Sequence, residues 1–308
     1  MTPRHDITIS ITGPTASGKT RRAVDVARAL DGEIISADSR QVYRGMDIGS
    51  GKDLGEYGEV PYHLIDVADP GEKFNLCRYL DLYHEAIAGI NSRGKTPVVC
   101  GGTGLYLESA LSGMRMAAVP ENPQLRQELR DKPIDELARI LASMKRLHNV
   151  TDLDTAERAI RAIEIQTYLD THPEAAEAAR RRPADNAIII GVDIPRDIRR
   201  ARITARLHER LDSQDMLGEI RRLLDAGTDP DTLISYGLEY RYLTLHLLGR
   251  LTYDEMVAQL QTAIHQFAKR QLTWFRGMER RGFTIHWLPY DMPSDEFVAR
   301  VAELIPDR

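Results

Sequence analysis

Short apolar segments alternate with longer segments of helical periodicity along most of the chain. Ile7, Ile9 and Ile11 alternate with polar residues, which predicts a strand. Further short apolar segments predict strands over residues 33–36, 97–100, 187–192 and 285–288. Helical spacing predicts helices over residues 23–30 and 75–92. Strands that alternate with helices predict an α/β fold, in which helices flank a parallel sheet core.

One long segment lacks strand signals. Between Ser112 and Arg182 helical periodicity dominates, with apolar positions such as Leu125, Leu137 and Leu141. This pattern predicts a helical insertion domain over residues 112–182, within a core made of residues 1–111 and 183–308. The run from Arg180 to Pro183 is the expected linker back to the sheet.

Composition narrows the class of protein. Of 308 residues, 42% are hydrophobic and 28% are charged, which is typical of a globular protein. No apolar run approaches the roughly 20 residues that span a bilayer, and the first residues are polar, so we expect a cytoplasmic protein without a membrane partner. Cys77 and Cys100 are too few for a disulfide framework or a cysteine metal site, which leaves buried thiols as the expectation.

Charge is unevenly distributed. The formal net charge of -5 taken alone argues against a nucleic-acid partner. Residues 196–222, however, hold eight arginines against five acids, and residues 269–281 hold five basic residues against Glu279 alone. Such segments form either a phosphate-binding face or an ordinary solvated helix face, and the sequence leaves both interpretations open.

The first predicted strand runs into a phosphate loop. The segment from Gly13 to Thr20 matches G-x-x-x-x-G-K-[ST] between a strand and a helix. Its glycines let backbone N–H groups converge on phosphate oxygens, Lys19 neutralises the distal phosphate, and Thr20 is the expected ligand of Mg²⁺. The predicted phosphate-binding residues are Gly13, Pro14, Thr15, Ala16, Ser17, Gly18, Lys19 and Thr20. The motif does not specify which phosphorylated molecule is bound.

Two polar residues follow neighbouring predicted strands. Asp38 lies nineteen residues after Lys19, at the end of the second predicted strand, and Thr103 lies in the loop after the strand at 97–100. Ligands of parallel sheets bind at the carboxyl ends of the strands. A carboxylate there can accept a proton from an incoming nucleophile, although an Asp that caps a helix or holds Mg²⁺ through water would look the same. The Thr103 hydroxyl can hydrogen-bond the same reacting group.

Several longer motifs extend this pattern. They are GPTASGKT at 13–20, SADSRQVYRGMDIG at 36–49, GGTGLY at 101–106 and KRQLTWFR at 269–276, with RAIE at 161–164 as a fifth block. In sequence, order and spacing they resemble the tRNA dimethylallyltransferases over nearly the whole chain. Together these motifs are far more specific than the phosphate loop.

The resemblance implies a reaction. A dimethylallyl group would pass from dimethylallyl diphosphate to N6 of adenosine 37, next to the anticodon of tRNAs that read codons starting with U, and diphosphate would leave. Carried over by position, Asp38 would accept the N6 proton, Thr103 would help to position it, and Lys19 with Arg206 would stabilise the diphosphate. The family's pair of arginines four apart matches Arg206 and Arg210 but also Arg202 and Arg206, so the register stays open.

The resemblance also implies a tRNA anticodon stem-loop as partner, and we expect the enzyme to be a monomer. The predicted tRNA-binding residues are Asp38, Ser39, Arg40, Gln41, Thr103, Glu157, Arg158, Ala159, Ile160, Arg161, Lys269, Arg270, Gln271, Thr273, Trp274 and Arg276. The segment 236–241 matches a further tRNA-contacting segment of the family. For Trp274 and Phe275 core packing is the favoured interpretation.

Three alternatives compete with this function. An adenylate isopentenyltransferase acting on free AMP, ADP or ATP shares the loop and the base, although it has little use for the helical insertion. A small-molecule kinase using ATP would have the same loop and the same Asp. A nucleotide switch without chemistry would carry an N-K-x-D segment, which the sequence lacks.

Overall fold

The computed structural model of the chain describes residues 7–114, 119–145, 153, 155–178, 184 and 186–306. Within them, six parallel strands form one sheet in the order β3-β2-β4-β1-β5-β6. The strands are β1 Thr8–Thr12, β2 Gly32–Ser36, β3 Tyr62–His63, β4 Thr96–Gly101, β5 Ala187–Asp193 and β6 Ile285–Pro289. The α/β class and five of the strands are confirmed. The sequence did not indicate β3, because two half-exposed edge residues carry no periodicity.

Helices make up most of the remaining described chain. Those of the sheet-containing part are α1 Lys19–Ala29, α2 Leu76–Ser92, α3 Gly104–Leu111, α8 Arg196–Asp212, α9 Met216–Asp225, α10 Pro230–Ser235, α11 Leu238–Leu247, α12 Tyr253–Arg280 and α13 Ser294–Glu303. Those between α3 and β5 are α4 Pro123–Leu129, α5 Ile134–Met144, α6 Ala156–Thr171 and α7 Pro173–Ala178.

The chain divides into two compact units. The first comprises Met1–Gly113 with Arg182–Arg308, and the second comprises Met114–Arg181. The described residues of the second unit contain helices and no strand. The predicted linker from Arg180 to Pro183 lies outside the described residues.

Two apolar clusters among the described residues pack elements of the first unit together. One cluster joins the sheet to α1 and α13, with Ile9, Ile11 and Ile34 fully buried against Phe297. Thr8, Ser10 and Thr12, which alternate with the isoleucines of β1, are buried as well, so this strand is covered on both faces. The other cluster joins α8, α9, α11 and α12 to the segment after β2. The two clusters fix the helices that surround the carboxyl edge of the sheet.

The second unit has its own core. Leu129, Leu137, Leu141 and Ala159 pack together and are almost fully inaccessible. Ala159 was predicted to contact tRNA, but its side chain lies inside this core, so that prediction is wrong for Ala159. Ala159 lies between polar residues in the sequence because an amphipathic helix alternates between a polar face and an apolar face, and Ala159 belongs to the apolar face.

A buried carboxylate ties the second unit's helices together. Glu164 accepts hydrogen bonds from Arg126 at 2.9 and 3.0 Å and from the Asn122 N–H, and it also pairs with Arg161. Burial raises the pKa of Glu164, but these hydrogen bonds outweigh burial and hold the pKa at about 2. Arg161 also donates to the Val119 carbonyl, so this predicted RNA-contacting residue has a structural role as well.

No helix among the described residues is both long enough and apolar enough to cross a membrane.

Candidate active site

The phosphate loop connects β1 to α1. Gly18 has φ of +86°, a left-handed conformation that favours glycine, and it caps the N-terminus of α1. Lys19 and Thr20 are therefore the first residues of the helix, where N–H groups without intrahelical partners face the ligand side. Among the described residues the Lys19 ammonium has no hydrogen bond and no ion pair, although the charges of Asp38 and Glu56 act on it. The loop is thus a preformed anion cradle with an unpaired lysine.

Asp38 and Thr103 lie together because β2 and β4 are neighbours. The Ala37 N–H donates to Cys100 O at 2.8 Å, and the Thr103 N–H donates to Ala37 O at 3.2 Å, which extends the ladder past the strand ends. Asp38 accepts from the Arg40 N–H at 2.9 Å, and the Thr103 hydroxyl accepts from the Ser39 N–H at 3.1 Å. These bonds hold a carboxylate and a hydroxyl at one edge of the sheet.

A cavity of about 600 Å³ opens above this edge. Its lining includes Thr15, Ala16, Gly18, Lys19, Thr20, Asp38, Ser39, Arg40, Gln41, Thr103, Arg206, Arg210, Arg270, Gln271 and Trp274 among the predicted site residues. Gly13, Pro14 and Ser17 are buried in the loop below the cavity. Lys269, Thr273 and Arg276 are exposed on α12, and Glu157 and Arg158 are exposed on α6 in the second unit.

The structure separates the three arginines of α8. Arg206 lines the cavity and donates to the Thr15 hydroxyl at 2.5 Å, and Arg210 lines it and pairs with Asp53 at 3.0 Å. Arg202 points elsewhere, because its guanidinium lies over the Tyr290 ring at 4.7 Å. The arginine pair that faces the cradle is therefore Arg206 and Arg210.

Gln271 on α12 braces the phosphate loop. Its Oε1 accepts from the Thr15 N–H at 2.8 Å, and its Nε2 donates to Gly102 O at 2.9 Å. Gln271 is buried and its amide is occupied at both ends, so it shapes the cavity wall. The Thr15 N–H is therefore already hydrogen-bonded within the protein.

The aromatic residues of α12 have different environments. Phe275 is fully buried, which confirms core packing for that residue. Trp274 is half-buried: it packs closely over the Gly104 backbone and also lines the cavity, so it is only partly a core residue. Phe267, which the sequence did not single out, is 38% exposed and lines the cavity one to two turns away.

The segment 49–57 forms a cavity wall that sequence reasoning missed. A buried carboxylate from α9 holds its start: Glu219 accepts from the backbone N–H groups of Asp47, Ile48 and Gly49 at 2.7–3.0 Å. Glu219 also accepts from the Tyr240 hydroxyl at 2.8 Å. Within the segment itself, only its glycines indicate an unusual loop. The carboxylate that positions the segment lies about 170 residues away in sequence.

Burial shapes the charges of the cavity. It lowers the pKa of Lys19, and together with Arg210 it lowers the pKa of Arg206 to about 10. Arg206 therefore remains cationic at neutral pH. Burial raises the pKa of Glu239, and burial with the charge of Asp53 raises that of Glu56. Desolvated cations in the cavity favour the binding of an anionic ligand.

Cys100 lies under the cradle, and its reactivity is predictable. Cys100 is 5% exposed, and burial raises the pKa of its thiol to about 11. Cys77 is only half-buried, so the expectation of a buried thiol is confirmed for Cys100 alone. About one Cys100 in a thousand is then thiolate at pH 8. We expect iodoacetamide to modify Cys77 at pH 8 and to leave Cys100 unmodified, as followed by peptide mass spectrometry.

The pH dependence provides the control for this labelling. In the Cys77→Ser variant, labelling of Cys100 should rise with pH until about pH 11, because the thiolate is the nucleophile. Rapid and complete modification of Cys100 at pH 8 would contradict the assigned burial.

The chain has a parallel sheet, a phosphate loop after the first strand and a carboxylate after the second strand. These features place its fold in the phosphate-loop class of α/β proteins. A family model described as IPP transferase matches residues 41–278, and one described as isopentenyl transferase matches residues 7–57. The chain belongs to the IPP transferase family.

Individual relatives agree over the full length. The chain is 55% identical over 309 residues to tRNA dimethylallyltransferase 2 of Bacteroides fragilis, with 99% of both chains covered. It is 52% identical over 301 residues to tRNA dimethylallyltransferase 1 of Parabacteroides distasonis, covering 96% of this chain and 97% of that one. The structure of the tRNA isopentenylpyrophosphate transferase of Bacillus halodurans has a TM-score of 0.71 and 30% identity, covering 97% of this chain and 95% of the other.

Proposed function

We propose that the protein transfers a dimethylallyl group from dimethylallyl diphosphate to N6 of adenosine 37 in tRNAs that read codons starting with U. The main structural support for this proposal is that the phosphate cradle, Arg206 and Asp38 all line one cavity. Family membership and relatives named tRNA dimethylallyltransferase favour prenyl transfer to tRNA over a kinase or a free-nucleotide enzyme.

The cradle suits an allylic diphosphate as leaving group. As the carbon–oxygen bond breaks, negative charge grows on the bridging oxygen of the diphosphate. The N-terminus of α1, Lys19 and Arg206 supply positive charge at that place before the reaction begins. This arrangement stabilises the departing diphosphate without an activated water molecule.

Asp38 is the proposed acceptor of the N6 proton. The adenine amine forms a bond to the allylic carbon, diphosphate leaves, and the proton on nitrogen passes to the Asp38 carboxylate. Thr103 lies beside Asp38 and orients the amine. Because adenosine 37 is stacked in a tRNA loop, the base has to leave the stack to enter the cavity.

The residues present fit a magnesium ion. Among the described residues, no three His, Cys, Asp or Glu side chains converge as a metal cage. Mg²⁺ in phosphate sites is held by one or two protein oxygens, phosphate oxygens and water, and Thr20 lines the cavity at the start of α1. Thr20 would hold the ion, which when bound would neutralise charge on the diphosphate.

Apolar residues of the cavity suit the prenyl chain. Leu105, Ile234, Leu238, Phe267 and Trp274 line it together with the polar residues. Such surface favours the hydrocarbon part of the donor and excludes water from the allylic carbon.

Exposed basic residues on α12 suit the RNA. Lys269, Arg270, Thr273 and Arg276 follow helical spacing next to the cavity, and they can bind phosphates and loop bases of the anticodon stem-loop.

Mass spectrometry of nucleosides tests the proposal. We expect unmodified tRNA with A36-A37-A38 and dimethylallyl diphosphate to yield N6-prenylated adenosine and diphosphate, and a matched tRNA with G37 to yield none. ATP in place of the prenyl donor should give no product. Prenylation of free AMP without prenylation of tRNA would replace the proposed substrate with a free nucleotide.

A further inference from the structure

Three arginines occupy the first turns of α8, outside the cavity. Arg196, Arg199 and Arg200 stand at positions i, i+3 and i+4, which places them on one side of the helix. Cations at a helix N-terminus oppose the helix dipole, and like charges at this spacing repel each other. Asp197 is the acidic residue of the first turn. A bound anion would relieve this unfavourable arrangement.

Arg199 is the central member of the cluster. It is 8% exposed, and among the described residues its side chain has no hydrogen bond and no ion pair. Burial and repulsion from Arg196 and Arg200 lower its pKa, while Asp193 acts in the opposite direction. Arginines that are this deeply buried are normally paired, because unmet donors cost free energy. Arg199 therefore has hydrogen-bonding capacity that the described protein does not use.

A second unpartnered group faces the cluster from α12. Helix α12 packs against α8, where Ile264 shares an apolar cluster with Ile203, one turn after Arg199. The neighbouring His265 has a buried Nδ1 without a hydrogen-bond partner. Burial and the charges of Arg200 and Arg199 lower the pKa of His265. Two neighbouring helices thus carry polar side chains that lack a protein partner, and these side chains are close enough to interact electrostatically.

We propose that Arg199, with Arg196, Arg200 and His265, binds a phosphate group. The guanidinium fork matches phosphate oxygens, and the N-terminus of a 17-residue helix adds favourable potential. None of the four residues lines the cavity, so this site is separate from the cradle.

The phosphate has two possible sources, an RNA backbone phosphodiester or a free phosphate ion. Arg199 precedes Arg206 by seven residues on the same helix, about 10 Å along the axis. At this distance from the cradle, a phosphodiester of bound tRNA is the source that the geometry favours. This choice of source rests on the proposed function, whereas the site itself does not.

Salt-dependent tRNA binding tests the RNA source. Arg199→Met keeps the buried stem and removes the charge. We expect the slope of log K against log salt to fall by about 0.7–0.9 and the affinity at 0.15 M salt to fall about four- to sixfold, which is the loss of one phosphate contact. Arg300→Met on α13 removes the same charge at an exposed position and should leave both quantities unchanged. His265→Gln, which leaves α8 intact, should weaken binding in the same direction.

NMR of the His265 imidazole tests the free-ion source in the wild-type protein. Inorganic phosphate should shift its resonances to saturation in wild type and in Arg300→Met, but not in Arg199→Met. A reduced salt slope assigns the site to RNA, and a saturable phosphate shift with an unchanged slope assigns it to a free ion. An unchanged slope together with an absent shift would overturn the proposal. Neither experiment uses the prenyl donor, so failure of prenyl transfer is recognised separately.

Discussion

Asp38→Asn is expected to slow prenyl transfer by a factor of about 10² to 10⁴, the range in which a general base contributes. The amide cannot accept the N6 proton at neutral pH, but its oxygen can still accept from the Arg40 N–H, so the loop should keep its shape. The cradle is unchanged, and dimethylallyl diphosphate should bind as in wild type. The measurement is the single-turnover rate with saturating tRNA, alongside calorimetric titration of the donor.

A matched control separates this effect from a change of charge. Asp69→Asn makes the same substitution at an exposed position that is paired with Arg44, and it should transfer the prenyl group at the wild-type rate. If Asp38→Asn also reacted at the wild-type rate, Asp38 would have no part in proton transfer. If the variant lost both the transfer rate and the affinity for dimethylallyl diphosphate, the substitution would have disrupted the phosphate cradle, and the result would not identify Asp38 as the base.

The parts of the site that were predictable are those encoded locally. The phosphate loop and Asp38 follow strands directly, so the strand pattern alone places them at the carboxyl edge of a parallel sheet. Neighbouring strand ends then bring Thr103 to Asp38. The order of the strands was not needed for this prediction, because every ligand-facing loop lies at the same edge.

Other parts depend on tertiary packing that no local pattern contains. Arg202, Arg206 and Arg210 are each one helical turn apart, so periodicity could not decide which pair faces the cradle; the contact of Arg202 with Tyr290 decides it. The bond from Gln271 to the Thr15 N–H spans 256 residues. A glutamine in a basic, aromatic segment looks like an RNA contact until its two backbone partners are located.

The role of Glu219 is visible only in the folded structure. Among the proposed variants, its replacement should lower the free energy of unfolding most. Its two oxygens accept three backbone N–H groups and one hydroxyl, so all four contacts face donors. In Glu219→Gln, the new NH₂ group must face donors, and we expect the unfolding free energy to fall by about 3 kcal/mol. Glu209→Gln, at an exposed position of α8, should have no measurable effect.

Tryptophan fluorescence during urea unfolding measures this change, because Trp274 and Trp287 both lie in the first unit. Tyr240→Phe removes one of the four donors and should cost about 1 kcal/mol. The double variant should lose less than the sum of the two, since the amide NH₂ can then point at the phenyl ring instead of a hydroxyl. Strict additivity would show that Tyr240 and Glu219 act independently, and wild-type stability of Glu219→Gln would remove the carboxylate from the support of the cavity wall.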